Sequence, residues 1–261
     1  MRVVVGLGNP GPRYRETRHN VGFDVVALLA RRTMAEGPKK KFDAELFDCG
    51  GAWGDKLLLV APQTYMNLSG KSVRGVLDFY KLSPQDLLVV CDDINLPLGK
   101  LRIRQQGSAG GQKGLADILR QAGTESVPRL RMGVGAPPGP IDAADWVLGK
   151  FTSAEQMDVE RMTAIAADAV EVWVREGLAS AMNRFNTDGE SGDRRTSGPS
   201  AKGVATKDVR PKGDKKAGRD ALRPGQDGTG QQAIQNPTGA SETRERLGGP
   251  QGEASQEVRV D

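Results

Sequence analysis

Histidine and cysteine are nearly missing from this chain, which has one His, His19, and two Cys, Cys49 and Cys91. Two cysteines cannot form a disulfide framework, and neither stands in a metal-ligand spacing such as C-x-x-C, so a reducing cytoplasm is the expected setting. Long apolar runs are missing too. The three-valine run after Met1-Arg2 is ended by Gly6, Gly8 and Pro10 before it reaches signal-peptide length, and nothing approaches the ~20 apolar residues of a membrane span. A soluble, unexported protein with no membrane contact is expected. Aromatic residues stop at Phe185, and from Gly189 to Asp261 there is no Phe, Trp, Tyr, Met or Cys. A segment so poor in apolar surface cannot offset the entropy of ordering it. The chain is therefore read as one compact domain over residues 1–187, followed by a low-complexity, disordered tail over residues 188–261.

The formal net charge of +4 says little about partners, but its distribution is uneven. Arg194 to Arg223 holds ten Lys and Arg against three Asp, whereas Pro224 to Asp261 is net acidic. A basic arm of this kind can hold a polyanion loosely by counterion release, and it can equally be a solvated extension.

Within the domain, short apolar runs bounded by Gly and Pro read as buried strands: Arg2 to Leu7, Lys56 to Ala61, Leu87 to Cys91, Leu101 to Arg104 and Leu130 to Gly135. Helical spacing lies between several of them. Phe23, Val26, Ala27 and Ala30 share one helix face, Val73, Val76, Leu77 and Tyr80 another, and Gly114 to Ala122 is a shorter candidate. Thr152 and Glu155 have capping-box spacing before a long apolar face running from Val159 to Trp173, which Gly177 ends. Alternation of strand and helix predicts an α/β layer fold.

Gly6-Leu7-Gly8-Asn9-Pro10-Gly11 satisfies G-x-G-x-x-G and follows a strand, so a dinucleotide-binding loop has to be considered. Pro10 and Pro12 remove two of the N–H groups that such a loop turns toward a pyrophosphate. The ribose-binding acid is missing as well, since Asp24, at the right offset, falls inside a helix.

The loop has a better use. Asn9 ends the first strand, His19 stands just before the helix near Val21, Asn67 lies between a strand and a helix, and Asp92 closes the run Leu87 to Cys91. Such positions gather at one edge of an α/β sheet, where ligands bind. The residue types suit hydrolysis: an imidazole takes a proton from water, a carboxylate fixes its tautomer, and amide NH2 groups donate to a carbonyl oxygen. Other readings remain open at this point. A lone His is commonly structural, Asp92-Asp93 suits Mg2+, Cys91 could be a thiol nucleophile or a buried hydrophobe, and Asn9 and Asn67 suit turns.

These same residues carry a resemblance. The stretch Gly6 to Gly11, then Tyr14, then Thr17-Arg18-His19-Asn20-Val21-Gly22, is similar to the bacterial peptidyl-tRNA hydrolase family. So in order are Met66-Asn67-Leu68-Ser69-Gly70-Lys71, Asp92-Asp93 with Leu96-Pro97 and Gly99, and Arg129-Leu130-Arg131-Met132-Gly133. It covers residues 1–187 and excludes the tail. The fold expected is then a single three-layer domain, with a central mixed, largely parallel twisted sheet and helices on both faces. The resemblance implies hydrolysis of the ester between a peptide, or an N-blocked aminoacyl group, and the 3′ end of tRNA. It implies no cofactor and no metal, and a monomer whose partner is peptidyl-tRNA.

By position, the resemblance makes His19 the base that activates water and Asp92 the carboxylate that holds it. Asn9 matches the residue that separates N-blocked from free aminoacyl-tRNA, Asn67 a substrate-contacting amide, and Tyr14 and Tyr65 the channel for the tRNA 3′ end. Arg131 matches a position that meets tRNA phosphate, and Arg104 stands where the family has a lysine; both suit backbone contact. One segment departs from the family pattern. Gly-Gly-His-Asn-Gly is usual where this chain reads Gly110-Gly111-Gln112-Lys113-Gly114, so an ammonium replaces an amide that can accept a hydrogen bond. The rival reading is a non-catalytic RNA-binding relative, as among plastid members that act in splicing. The presence of His19, Asp92, Asn9 and Asn67 and the lack of an Arg- and Ser-rich transit peptide weigh against it.

Overall fold

A computed structural model describes residues 1–186 of the chain. The expected tail, 188–261, lies outside the described residues, as does residue 187, the last of the expected domain. The described chain holds seven strands: β1 (Arg2–Gly6), β2 (Glu36–Lys41), β3 (Ala44–Asp48), β4 (Leu57–Pro62), β5 (Leu87–Asp93), β6 (Leu101–Arg104) and β7 (Arg129–Gly133). Six helices accompany them: α1 (Val21–Arg32), α2 (Ser69–Tyr80), α3 (Lys113–Ala122), α4 (Ala143–Leu148), α5 (Gln156–Glu176) and α6 (Leu178–Phe185).

The strands form one mixed sheet in the order β2-β3-β4-β1-β5-β7-β6. The central four are parallel, and β2, β3 and β6 run antiparallel at the edges. Central strands read as unbroken apolar runs because both sheet faces are covered. Val4, Leu59, Leu88 and Val90 pack with α1 and α5, whereas Val3, Val5, Val60 and Val89 pack with α2 and α3. Two cores on one sheet make the expected three layers.

Two glycines set where the first loop goes. A Cβ on Gly6 would overlap the Gly22 carbonyl, and one on Gly22 would overlap the Leu7 backbone, so the end of β1 and the start of α1 touch main chain to main chain. Gly6 and Gly8, two of the glycines that mimic a dinucleotide-binding loop, thus pack against α1, at Gly22 and Phe23, and bring the turn holding His19 to the end of β1.

Several expected features differ. The hairpin β2–β3 went unpredicted because β2, Glu-Gly-Pro-Lys-Lys-Lys, is exposed along its whole length and carries no apolar alternation. Its Pro and Lys residues guard a sheet edge instead. The buried face of α1 is Val21, Val25, Val26 and Leu29, with Ala27 exposed, because larger side chains won the core over the Ala-bearing face. Asp92 lies within β5 rather than closing it, since pairing with β7 extends through Asp93. Glu155 accepts the Thr152 N–H at 2.7 Å as the capping box requires, yet α5 begins only at Gln156. Short helices α4 and α6 were not expected.

Candidate active site

Three of the parallel strands, β1, β4 and β5, lead into a cavity of about 790 Å³. Asn9, Tyr14, His19, Tyr65, Asn67 and Asp92 all line it, so the structure brings together six of the eight expected site residues. Arg13, Met66, Lys113 and the α4 residues Ala143, Ala144, Val147 and Leu148 complete much of its wall.

His19 sits in a single 3-10 turn, Arg18–Asn20, that leads directly into α1. Its ring Nδ1 lies 2.9 Å from Asp92 Oδ2, with both side chains largely buried. An ionised carboxylate only accepts, so Nδ1 carries the proton and a neutral ring leaves Nε2 with a free lone pair. Asp92 is held at its other oxygen too, where Gln112 Nε2 donates to Oδ1 at 3.1 Å.

The two neighbouring turns are tied by asparagines. Asn20 Oδ1 accepts the Asn9 N–H at 2.9 Å and its Nδ2 donates to the Asn9 carbonyl at 3.0 Å. Asn9 Oδ1 in turn accepts the Met66 N–H at 2.9 Å, which leaves its NH2 end for the cavity. Asn67, the next residue along, is exposed on the cavity wall. Tyr14 carries the Arg13 guanidinium 4.4 Å above its ring and accepts a hydrogen bond from it at the phenol oxygen.

Arg18 anchors this turn to the far side of the cavity. It is buried, donates to both carboxylate oxygens of Glu155 at 2.8 Å, and lies 3.7 Å from the centre of the Trp146 ring. Its NH1 also donates to the Lys150 carbonyl. Burial pushes the Glu155 carboxyl up, but hydrogen bonds from Thr152 and Arg18 outweigh it and hold the group below its ordinary range.

Arg131 and Arg104 do not line the cavity. Arg131, on β7, pairs with Asp93 at 3.1 Å and runs beneath Gly110, which does line it; Arg104 is exposed on the edge strand β6. In the β6–β7 register Arg102 faces Arg131 and Arg104 faces Arg129, so all four stand on one sheet face.

Alternation within β5 disposes of two readings. Asp92 and Asp93 point to opposite faces, one to His19 and the other to Arg131 and Asn95, so they do not form a joint ligand pair. Cys91 is fully buried on the α3 side, and burial pushes its thiol well above the ordinary range, so it is no nucleophile. Asn20, Arg18 and Gln112 carry the geometry without having been singled out for it. Asn20 and Arg18 flank His19 in sequence, and Gln112 precedes a helix at an N-cap position, which was the available signal.

Fold and cavity together define an α/β protein whose polar site, an imidazole–carboxylate pair with amide donors, is of the hydrolase kind. The sequence matches the family profile described as peptidyl-tRNA hydrolase over residues 3–193. It is 50% identical over 186 residues to the peptidyl-tRNA hydrolase of Rhodopirellula baltica, covering 71% of this chain and 97% of that one. It is 49% identical over 187 residues to that of Chloroflexus aurantiacus, covering 71% and 99%. A crystal structure of peptidyl-tRNA hydrolase from Acinetobacter baumannii superposes with a TM-score of 0.67 at 34% identity, covering 71% of this chain and 94% of that chain. The chain belongs to the peptidyl-tRNA hydrolase family.

Proposed function

We propose that this protein hydrolyses the ester between a peptide, or an N-blocked aminoacyl group, and the 3′ end of tRNA. One observation carries the reading: His19 Nδ1 lies 2.9 Å from the buried Asp92 carboxylate, on a cavity that Asn9 and Asn67 also line, so that Nε2 of the neutral ring is the acceptor left for water. Nε2 takes a proton from water while the water oxygen attacks the ester carbonyl carbon. Negative charge grows on the carbonyl oxygen, where the NH2 groups of Asn9 and Asn67 donate. Collapse expels the ribose 3′ oxygen, which recovers the proton from the imidazolium, leaving free tRNA and a peptide carboxylic acid that then loses its remaining proton to solvent. Asp92 keeps the ring in the basic tautomer throughout and stabilises the imidazolium between the two proton transfers.

Tyr14 and Tyr65 line the approach of the tRNA 3′ end, where the exposed Tyr65 ring offers a stacking surface to an unpaired base. Arg104 and Arg131 meet tRNA phosphates, a contact that reads no base and so accepts many tRNAs. Lys113 donates to substrate or phosphate where the family pattern has an amide. The protein works as a cytoplasmic monomer; among the described residues no helix is long and apolar enough to cross a membrane. Residues 1–187 form the working domain, and the tail, 188–261, is an accessory to it. A non-catalytic RNA binder would have no need of a base, its carboxylate and two amides on one cavity.

The test is an assay of N-acetyl-aminoacyl-tRNA cleavage. Steady release of free tRNA, undiminished by a chelator and absent with unblocked aminoacyl-tRNA, is the expected result. Binding of the substrate without cleavage would instead place the protein with the RNA-binding relatives.

A further inference from the structure

We propose that Gln112 is a positioning residue for the hydrolytic centre, coupling the orientation of Asp92, and through it the ring of His19, to the N-terminus of α3. This rests on His19 acting as the base. Gln112 is buried and its carboxamide is fully committed. Oε1 accepts the Leu115 N–H at 2.6 Å, which closes the first turn of α3 and settles which end of the amide is oxygen. Nε2 must then face Asp92, to whose Oδ1 it donates at 3.1 Å, with Met66 Sδ a further 3.2 Å contact.

Asp92 is thereby held at both oxygens, Oδ2 by His19 and Oδ1 by Gln112, and its carboxylate plane cannot turn without breaking a bond. An amide does not titrate in the working range, so this clamp keeps its donor at every pH at which the imidazole works. The family pattern has a histidine at this position, which would itself gain and lose a proton. The other titratable groups lining the same cavity are Arg13 and Tyr14 before α1, Tyr65 before α2, Lys113 on α3 and Asp142 before α4, with Asp93 turned away toward Arg131.

Substitution can separate the two jobs of this side chain. Gln112→Glu keeps an acceptor for Leu115 but removes the donor to Asp92 and adds a negative charge. Its folding midpoint should fall, because two carboxylates then face each other in a buried site, while the folded enzyme loses at least about tenfold in kcat at constant KM, a part of the roughly 10²–10⁴-fold that a positioned base supplies. The acid limb of the kcat profile should also move to higher pH, because the added charge favours the imidazolium of His19. Gln112→His offers one donor and one acceptor when neutral. It should work normally above neutrality and lose activity more steeply below, where protonation turns its acceptor into a second donor. A purely structural Gln112 would leave the shape of both profiles untouched. Wild-type kcat and pH limb in Gln112→Glu overturn the proposal; should that variant not fold, an unchanged profile in Gln112→His does the same. His19→Ala is assayed alongside, because its activity would overturn the base assignment itself, a separate failure.

Discussion

At Asn9 a single carboxamide faces two neighbours, the Met66 N–H through its oxygen and the cavity through its nitrogen. Asn9→Asp keeps the first and removes the second. Its folding midpoint should stay close to wild type while kcat/KM for N-acetyl-aminoacyl-tRNA falls by about 10²–10³-fold, the usual loss for one oxyanion donor. Asn9→Ala should in addition lose about 1–3 kcal/mol of stability, since the buried Met66 N–H is left without an acceptor, and denaturant titration distinguishes the two variants. At this scale the sequence was legible where a polar residue interrupts an apolar strand or precedes a helix, which is how His19, Asp92, Asn9 and Asn67 stand out. Arg18 was not legible in its role because its carboxylate partner, Glu155, is 137 residues away. Gln112 was visible only as a departure from a pattern, and its contact with Asp92 spans 20 residues of intervening fold.

Among the elements, α1 carries a strained passenger. Asp24, in its first turn, is desolvated by burial and lies near the negative Glu16, which pushes its carboxyl from 3.8 up to about 6. The folded chain therefore holds this proton more tightly than the unfolded chain. As pH rises from about 4 to about 6 the unfolded state loses its proton first, and stability falls by up to about 3 kcal/mol over that window. Asp24→Asn removes the fall, so it should stabilise the protein by as much at pH 8 and not at all near pH 3.5, as urea titrations at the two pH values would show. The central strands and the helices α2, α3 and α5 were readable because their periodicity is enforced by two cores. The edge strand β2 was not, because a strand that buries nothing leaves no period in its sequence, and α4 and α6 are too short to show one.

For the whole molecule, the sheet order places the four parallel strands at the centre and gathers the C-terminal ends of β1, β4 and β5 at one cavity, the arrangement that α/β sheets use for ligands. Layer architecture was readable from strand–helix alternation; the strand order was not, since pairing between β5 and β7 passes over β6. The uneven charge of the chain suggests a second, separable property. Truncation after residue 188 should leave the folding midpoint and kcat unchanged, and a salt-sensitive rise in KM would show that the basic arm holds tRNA. Everything else hangs on one imidazole, the single His of 261 residues. The direct measurement is single-turnover cleavage of N-acetyl-aminoacyl-tRNA by the wild type and by His19→Ala under saturating protein. The account predicts a rate at least about 10²-fold lower for the variant with its fold and tRNA binding retained, and cleavage by folded His19→Ala at the wild-type rate would contradict it.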